Sequence, residues 1–119
     1  MRRAKYDLEE RTAKFGESII LFCKNLDRNA IVNPLINQII RSATSVGANY
    51  MEANGSSSKK DFQYKIYICK KEIQETKHWL RMIAVSNPER KEELRILWNE
   101  AHELTLIFQK ITSTLKSQS

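Results

Sequence analysis

Apolar residues recur along this chain in alternating steps of three and four. Leu8, Thr12, Phe15, Ile19, Phe22 and Leu26 form a first series. Ile36, Ile40, Ala43, Gly47 and Tyr50 form a second, beside a parallel row of Leu35, Ile39, Ser42, Val46 and Asn49. The third runs Phe62, Ile66, Cys69, Ile73, Thr76, Leu80, Ile83, and the fourth Leu94, Leu97, Ala101, Leu104, Phe108, Ile111, Leu115. Such spacing puts one residue per turn on a single helical face, whereas a strand would alternate in twos.

The punctuation agrees with these series. Asn33-Pro34 and Asn87-Pro88 each offer a capping side chain followed by proline at the first helical position, where its missing N–H costs nothing. Ser58 and Asp61 have the spacing of a capping box, and Gly55 stands where a left-handed residue would end a helix. The spacing predicts helices near 6–26, 34–54, 59–85 and 88–117. With short connections throughout, these make a single all-α domain, an up-down-up-down antiparallel four-helix bundle over residues 1–119.

Composition narrows the class. The chain has 119 residues, a net charge of +6, three glycines and two prolines, which excludes collagen-like chains and many-turned β-sandwiches. No apolar run approaches the ~20 residues of a membrane span, and no signal-like stretch follows the basic start, so no membrane partner is expected. Cys23 and Cys69 form no motif and fall on or beside apolar seams, as buried thiols of a cytoplasmic protein would.

Charge is unevenly distributed. Lys59 to Arg81 carries seven basic and three acidic residues, while segments 31–58 and 86–119 are each neutral. Along one flank of the third helix run Lys60, Gln63, Tyr67, Lys70, Gln74, Lys77 and Arg81. Lys60, Lys70, Lys77 and Arg81 could follow a phosphate backbone with Tyr67 as a stacking face; the competing reading is a solvated helix face. Along another flank run Tyr64, Ile68, Glu72, Glu75, Trp79 and Met82. These either widen the core or pack on another subunit, with Glu72 and Glu75 available to Arg41 or to a subunit's lysine. Ile96, Trp98 and Leu106 lie off the main seam of the fourth helix.

Catalytic chemistry finds little support. Phosphate-binding glycine loops and nucleophile elbows are absent, and His78 and His102 have no evident nucleophile partner. Glu75-x-x-His78 has the spacing of a di-iron ligand pair, but the fourth helix offers asparagine at the matching place before His102. No catalytic residue, metal or cofactor is expected. Asn49 and Glu52, polar in a seam of small residues, read as register devices.

Three stretches carry a resemblance: Arg41-Ser42-Ala43-Thr44-Ser45-Val46-Gly47-Ala48-Asn49-Tyr50-Met51-Glu52-Ala53, then Ser58-Lys59-Lys60-Asp61-Phe62, then Lys71-Glu72-Ile73-Gln74-Glu75-Thr76-Lys77-His78-Trp79-Leu80-Arg81. They resemble a bacterial four-helix-bundle family first noticed as reading frames within intervening sequences of 23S rRNA genes, sometimes labelled S23 ribosomal proteins. His78 departs from the aromatic common at that position. The resemblance implies a homopentameric ring of four-helix bundles without catalytic residues. A related accessory protein of diversity-generating retroelements is a basic pentamer that binds nucleic acid and a reverse transcriptase. From residues and resemblance together the expectation is a homo-oligomer that binds structured RNA or DNA. The alternative is a scaffold for an enzyme partner, such as a reverse transcriptase, with no nucleic-acid role of its own.

Overall fold

The computed structural model of the protein describes residues 2–118, with side chains for residues 8–118. Four helices follow one another: α1 (Arg2–Lys24), α2 (Val32–Asn54), α3 (Lys59–Ser86) and α4 (Lys91–Gln118). A single 3₁₀ turn, Pro88–Arg90, leads into α4, and no strand occurs among the described residues. Each helix packs on its chain neighbours and α4 also packs on α1, while the diagonal α2 and α4 meet through side chains across the core, where the Tyr50 and Phe108 rings lie 6.0 Å apart. The result is a square up-down bundle of 46 × 23 × 21 Å.

The expected seams make the core. Phe15, Ile19, Ile36, Ile39, Val46, Ile66, Ile73, Leu80, Leu104 and Phe108 are all shielded from solvent. Two glycines face the α1–α2 contact, where an added methyl group would make ordinary van der Waals contact with the other helix. A side-chain carbon at Gly47 would stand 3.4 Å from the Thr12 carbonyl oxygen, and one at Gly16 would meet the Thr44 backbone at 3.6 Å. The α1–α4 seam is sparser and relies on charge: Arg11 grips Glu100 at 2.7 and 2.8 Å and Glu103 at 2.6 Å. Hydrogen bonding to Glu100 raises the Arg11 guanidinium pKa well above its ordinary value despite partial burial.

Several boundaries differ from the sequence expectation. Asn29, rather than Asn33, caps α2: its side-chain oxygen accepts the Ile31 and Val32 N–H groups at 2.9 and 2.8 Å. The helix therefore starts before Pro34, and Asn33 is left to accept from Arg28 at 2.6 Å. Asn87 makes no capping bond from its side chain, and Pro88 opens the 3₁₀ turn instead of α4 itself. Gly55 is right-handed, with φ −94°, because α2 closes with tightened bonds from Gly55 N–H to Glu52 and Ser56 N–H to Ala53. Ser58 does cap α3, accepting the Asp61 N–H at 3.0 Å. The first helix begins at Arg2, ahead of the expected residue 6.

Burial should decide the response to truncation. Ile73→Ala, at a site closed to solvent, is expected to cost about 2–5 kcal/mol in urea unfolding. Ile96→Ala, at 63% exposure, should cost less than about 0.5 kcal/mol. Equal costs at the two sites would contradict this core.

Candidate nucleic-acid interface

The two polar flanks of α3 have different fates because α2 lies along one and α4 along the other. On the α2 side, Ser42 and Thr76 pair their hydroxyls at 2.8 Å in the buried seam, and Thr76 also donates to the Glu72 carbonyl at 2.8 Å. Cys69 donates to the Val46 carbonyl at 3.5 Å. Outside this layer Arg41 reaches both Glu72 oxygens at 3.3 Å and Glu75 at 2.8 Å. Nearer the chain reversal Lys65 meets Glu52 at 2.7 Å.

These contacts account for much of the row that spacing alone left open to another subunit. Glu72 is buried and, with Glu75, is held by Arg41 of the same chain. Trp79 packs against the core from the side, its indole N–H buried near Glu75 outside hydrogen-bonding geometry. Ile68 and Met82 are half-buried, and Tyr64 remains 63% exposed. Glu52 does bridge α2 to α3, but Asn49 bonds the Ser45 carbonyl of its own helix at 2.9 Å and so does not set register between helices.

Electrostatics follow from the same geometry. Burial works to raise the Glu75 pKa, and the hydrogen bond and charge of Arg41 outweigh it, leaving the carboxyl below its ordinary value. Burial pushes the Cys23 thiol up to about 11 and the Cys69 thiol up to about 12.

On the α4 side the basic row survives as a physical strip. Lys60 to Arg81 spans about 32 Å at 1.5 Å per residue. Lys60, Lys70 and Arg81 make no ion pair among the described residues, and Tyr67 is 38% exposed. Lys77 is the exception. Its ammonium lies 3.0 Å from His102 Nδ1 and 4.7 Å from the centre of the Trp98 ring, so it is engaged in the α3–α4 seam. His102, paired with no nucleophile, stacks on Trp98 with ring centres 5.0 Å apart. Across that seam Lys91 and Arg95 of α4 line the same cleft as Arg81. Neither stands out in the sequence, since the charges of α4 cancel in sum and only packing brings these two to the strip.

Among the described residues no three His, Cys, Asp or Glu side chains gather as a metal site, and His78 is exposed, its ring edge-to-face with that of Trp79. No described helix is long and apolar enough to cross a membrane.

A family model described as 23S rRNA-intervening sequence protein matches residues 4–110. Among solved structures, a protein of unknown function from the S23 ribosomal protein family of Bacteroides thetaiotaomicron is similar, with a TM-score of 0.78 and 27% sequence identity. The match covers 87% of this chain and 96% of that one. No curated protein matches.

Two measurements check the α2–α3 seam. Arg41→Met should lower stability at neutral pH by about 2 kcal/mol, because it strands the buried Glu72 carboxylate. The depressed Glu75 pKa makes the ion pair's contribution present above the ordinary carboxylate value of 4.5 and absent once pH has fallen through the folded value. The gap between wild type and variant should therefore narrow as pH falls below 4.5, and a constant gap would locate the destabilisation elsewhere. The two thiols should react with a thiol-directed reagent at least about 100-fold more slowly in the native protein than after denaturation. Native reaction at the denatured rate would contradict their burial.

Proposed function

Since the chain belongs to the 23S rRNA-intervening sequence protein family, we propose that it is a non-enzymatic homo-oligomer that binds structured RNA or DNA through the basic flank of α3. The observation that carries the reading is the strip of unpaired cations: Lys60, Lys70 and Arg81 are spaced along one helix with no carboxylate bound to them among the described residues. A cation already paired with a carboxylate must break that pair to meet a phosphate, whereas an unpaired one exchanges only water and counterions. Lys60 and Lys70 stand about 15 Å apart along the helix, and Lys70 and Arg81 about 16 Å. That spacing suits several phosphates along a folded strand, with Tyr67 between the first two as a stacking face.

The family resemblance supports a pentamer. In a ring each strip would be repeated, and a weak contact per protomer would become a strong multivalent one. The exposed Tyr64 and the half-buried Ile68 and Met82 supply the apolar part of the proposed subunit contact, beside Glu72, Glu75 and Trp79.

Retention of a structured RNA should fall steeply with salt, on a particle whose mass by light scattering is about five times that of one chain. Replacing both Lys60 and Lys70 by Glu should weaken retention and lower the salt slope by about 0.9 for each phosphate no longer neutralised, with particle mass unchanged. An assembled particle that retains no RNA even at about 50 mM salt would instead favour the scaffold for an enzyme partner.

A further inference from the structure

The α3–α4 seam opens at one end into a groove of about 290 Å³. Ala84, Leu94 and Trp98 contribute its apolar lining, while Arg81, Lys91 and Arg95 supply cationic groups. No carboxylate lines it. Arg95 is held by Glu92 at 2.7 Å and Glu93 is held by Arg90 at 3.0 Å, so of the groove's three cations Arg81 and Lys91 are left without an ion-pair partner among the described residues.

The geometry of Trp98 gives this groove its character. The His102 ring lies nearly parallel to the indole, with 11° between planes and centres 5.0 Å apart. The Lys77 ammonium is 4.7 Å from the indole centre and 3.0 Å from His102 Nδ1. An ammonium on the far face of the indole would lie well beyond hydrogen-bond reach of a ring stacked on the near face. Lys77 and His102 therefore share one face and brace the indole, while the opposite face has no aromatic partner among the described residues. Trp98 is 37% exposed.

We propose that this groove is a stacking site for one unpaired base of a nucleic-acid strand whose phosphates are held by Arg81 and Lys91. The inference rests on the nucleic-acid reading above and adds the form of the ligand. Charge complementarity selects the occupant: an apolar lining with an indole face, bordered by unpaired cations, suits a flat ring carrying an adjacent anion. Arg81 belongs to both the groove and the α3 strip, so a strand following the strip arrives at Trp98. Inside a duplex both faces of each base are covered by its neighbours, whereas an unpaired base can be splayed out and offer its face to the indole.

The test compares a single-stranded RNA with an abasic strand of the same length and phosphate number, on the intact protein. The wild type should bind the base-bearing strand about tenfold more tightly. Trp98→Ala should bring that ratio near one while abasic-strand binding persists. Because this change also removes the platform under Lys77 and His102, Ala84→Phe serves as the second variant, filling the groove while leaving those two side chains in place. It should abolish the same preference. Equal wild-type affinity for the two strands would overturn the stacking site and leave backbone binding standing. A tenfold preference surviving in both variants would overturn it by placing base contact elsewhere. Retention of neither strand at low salt would overturn the stacking site, and the structured-RNA assay above then decides separately whether backbone binding stands.

Discussion

The close approach of α2 to α3 is the constraint on which the remaining geometry depends. Ser42 and Thr76 are small enough to let the two backbones draw together and polar enough to need each other once water is excluded. Their paired hydroxyls, extended through the Glu72 carbonyl, set the axial register. Arg41, the residue beside Ser42, then completes the layer by reaching Glu72 and Glu75. Sliding either helix by one residue would separate the hydroxyls and leave Glu72 as a buried, unpaired charge, an arrangement far costlier than the pair itself contributes.

That register determines how charge is distributed on α3. Its acidic residues are Asp61, Glu72 and Glu75. Asp61 lies at the capped start of the helix, and the other two are consumed by Arg41. The opposite flank consequently keeps Lys60, Lys70 and Arg81 without an acidic neighbour bound to them among the described residues. The basic strip is the far side of the α2–α3 ion pair: drawing carboxylates into one seam leaves cations in excess along the other.

Where α4 meets that strip, the bundle uses a different device. Lys77 is removed from the solvated row and set over Trp98, with His102 stacked on the same indole. This converts a charge into a brace for an aromatic ring and stiffens the seam at which Arg81, Lys91 and Arg95 converge. Backbone neutralisation and base stacking would thus draw on adjoining parts of one surface, the first from one helix and the second from the meeting of two.

Four helices, their core faces, the burial of both cysteines and the basic flank of α3 were legible in the residues, because each depends on a period of three to four or on local composition. Ser58 as a cap was legible for the same local reason. The Asn29 cap and the right-handed Gly55 were not, since those turns offered more than one residue of suitable chemistry and the chain chose between them by how α2 enters and leaves the bundle. Trp79 could be placed on a flank but not apportioned between core and surface, because periodicity gives a direction and says nothing of how far a neighbouring helix reaches. Likewise the neutral sum of α4 hid Lys91 and Arg95. Repeats that act within one helix were enough to specify the bundle and the side of α3 on which charge accumulates. Which charges were spent in seams, and that Lys77 and His102 both came to rest on the Trp98 ring, emerged from packing alone, because pairing and burial depend on distances between helices that no single helix encodes.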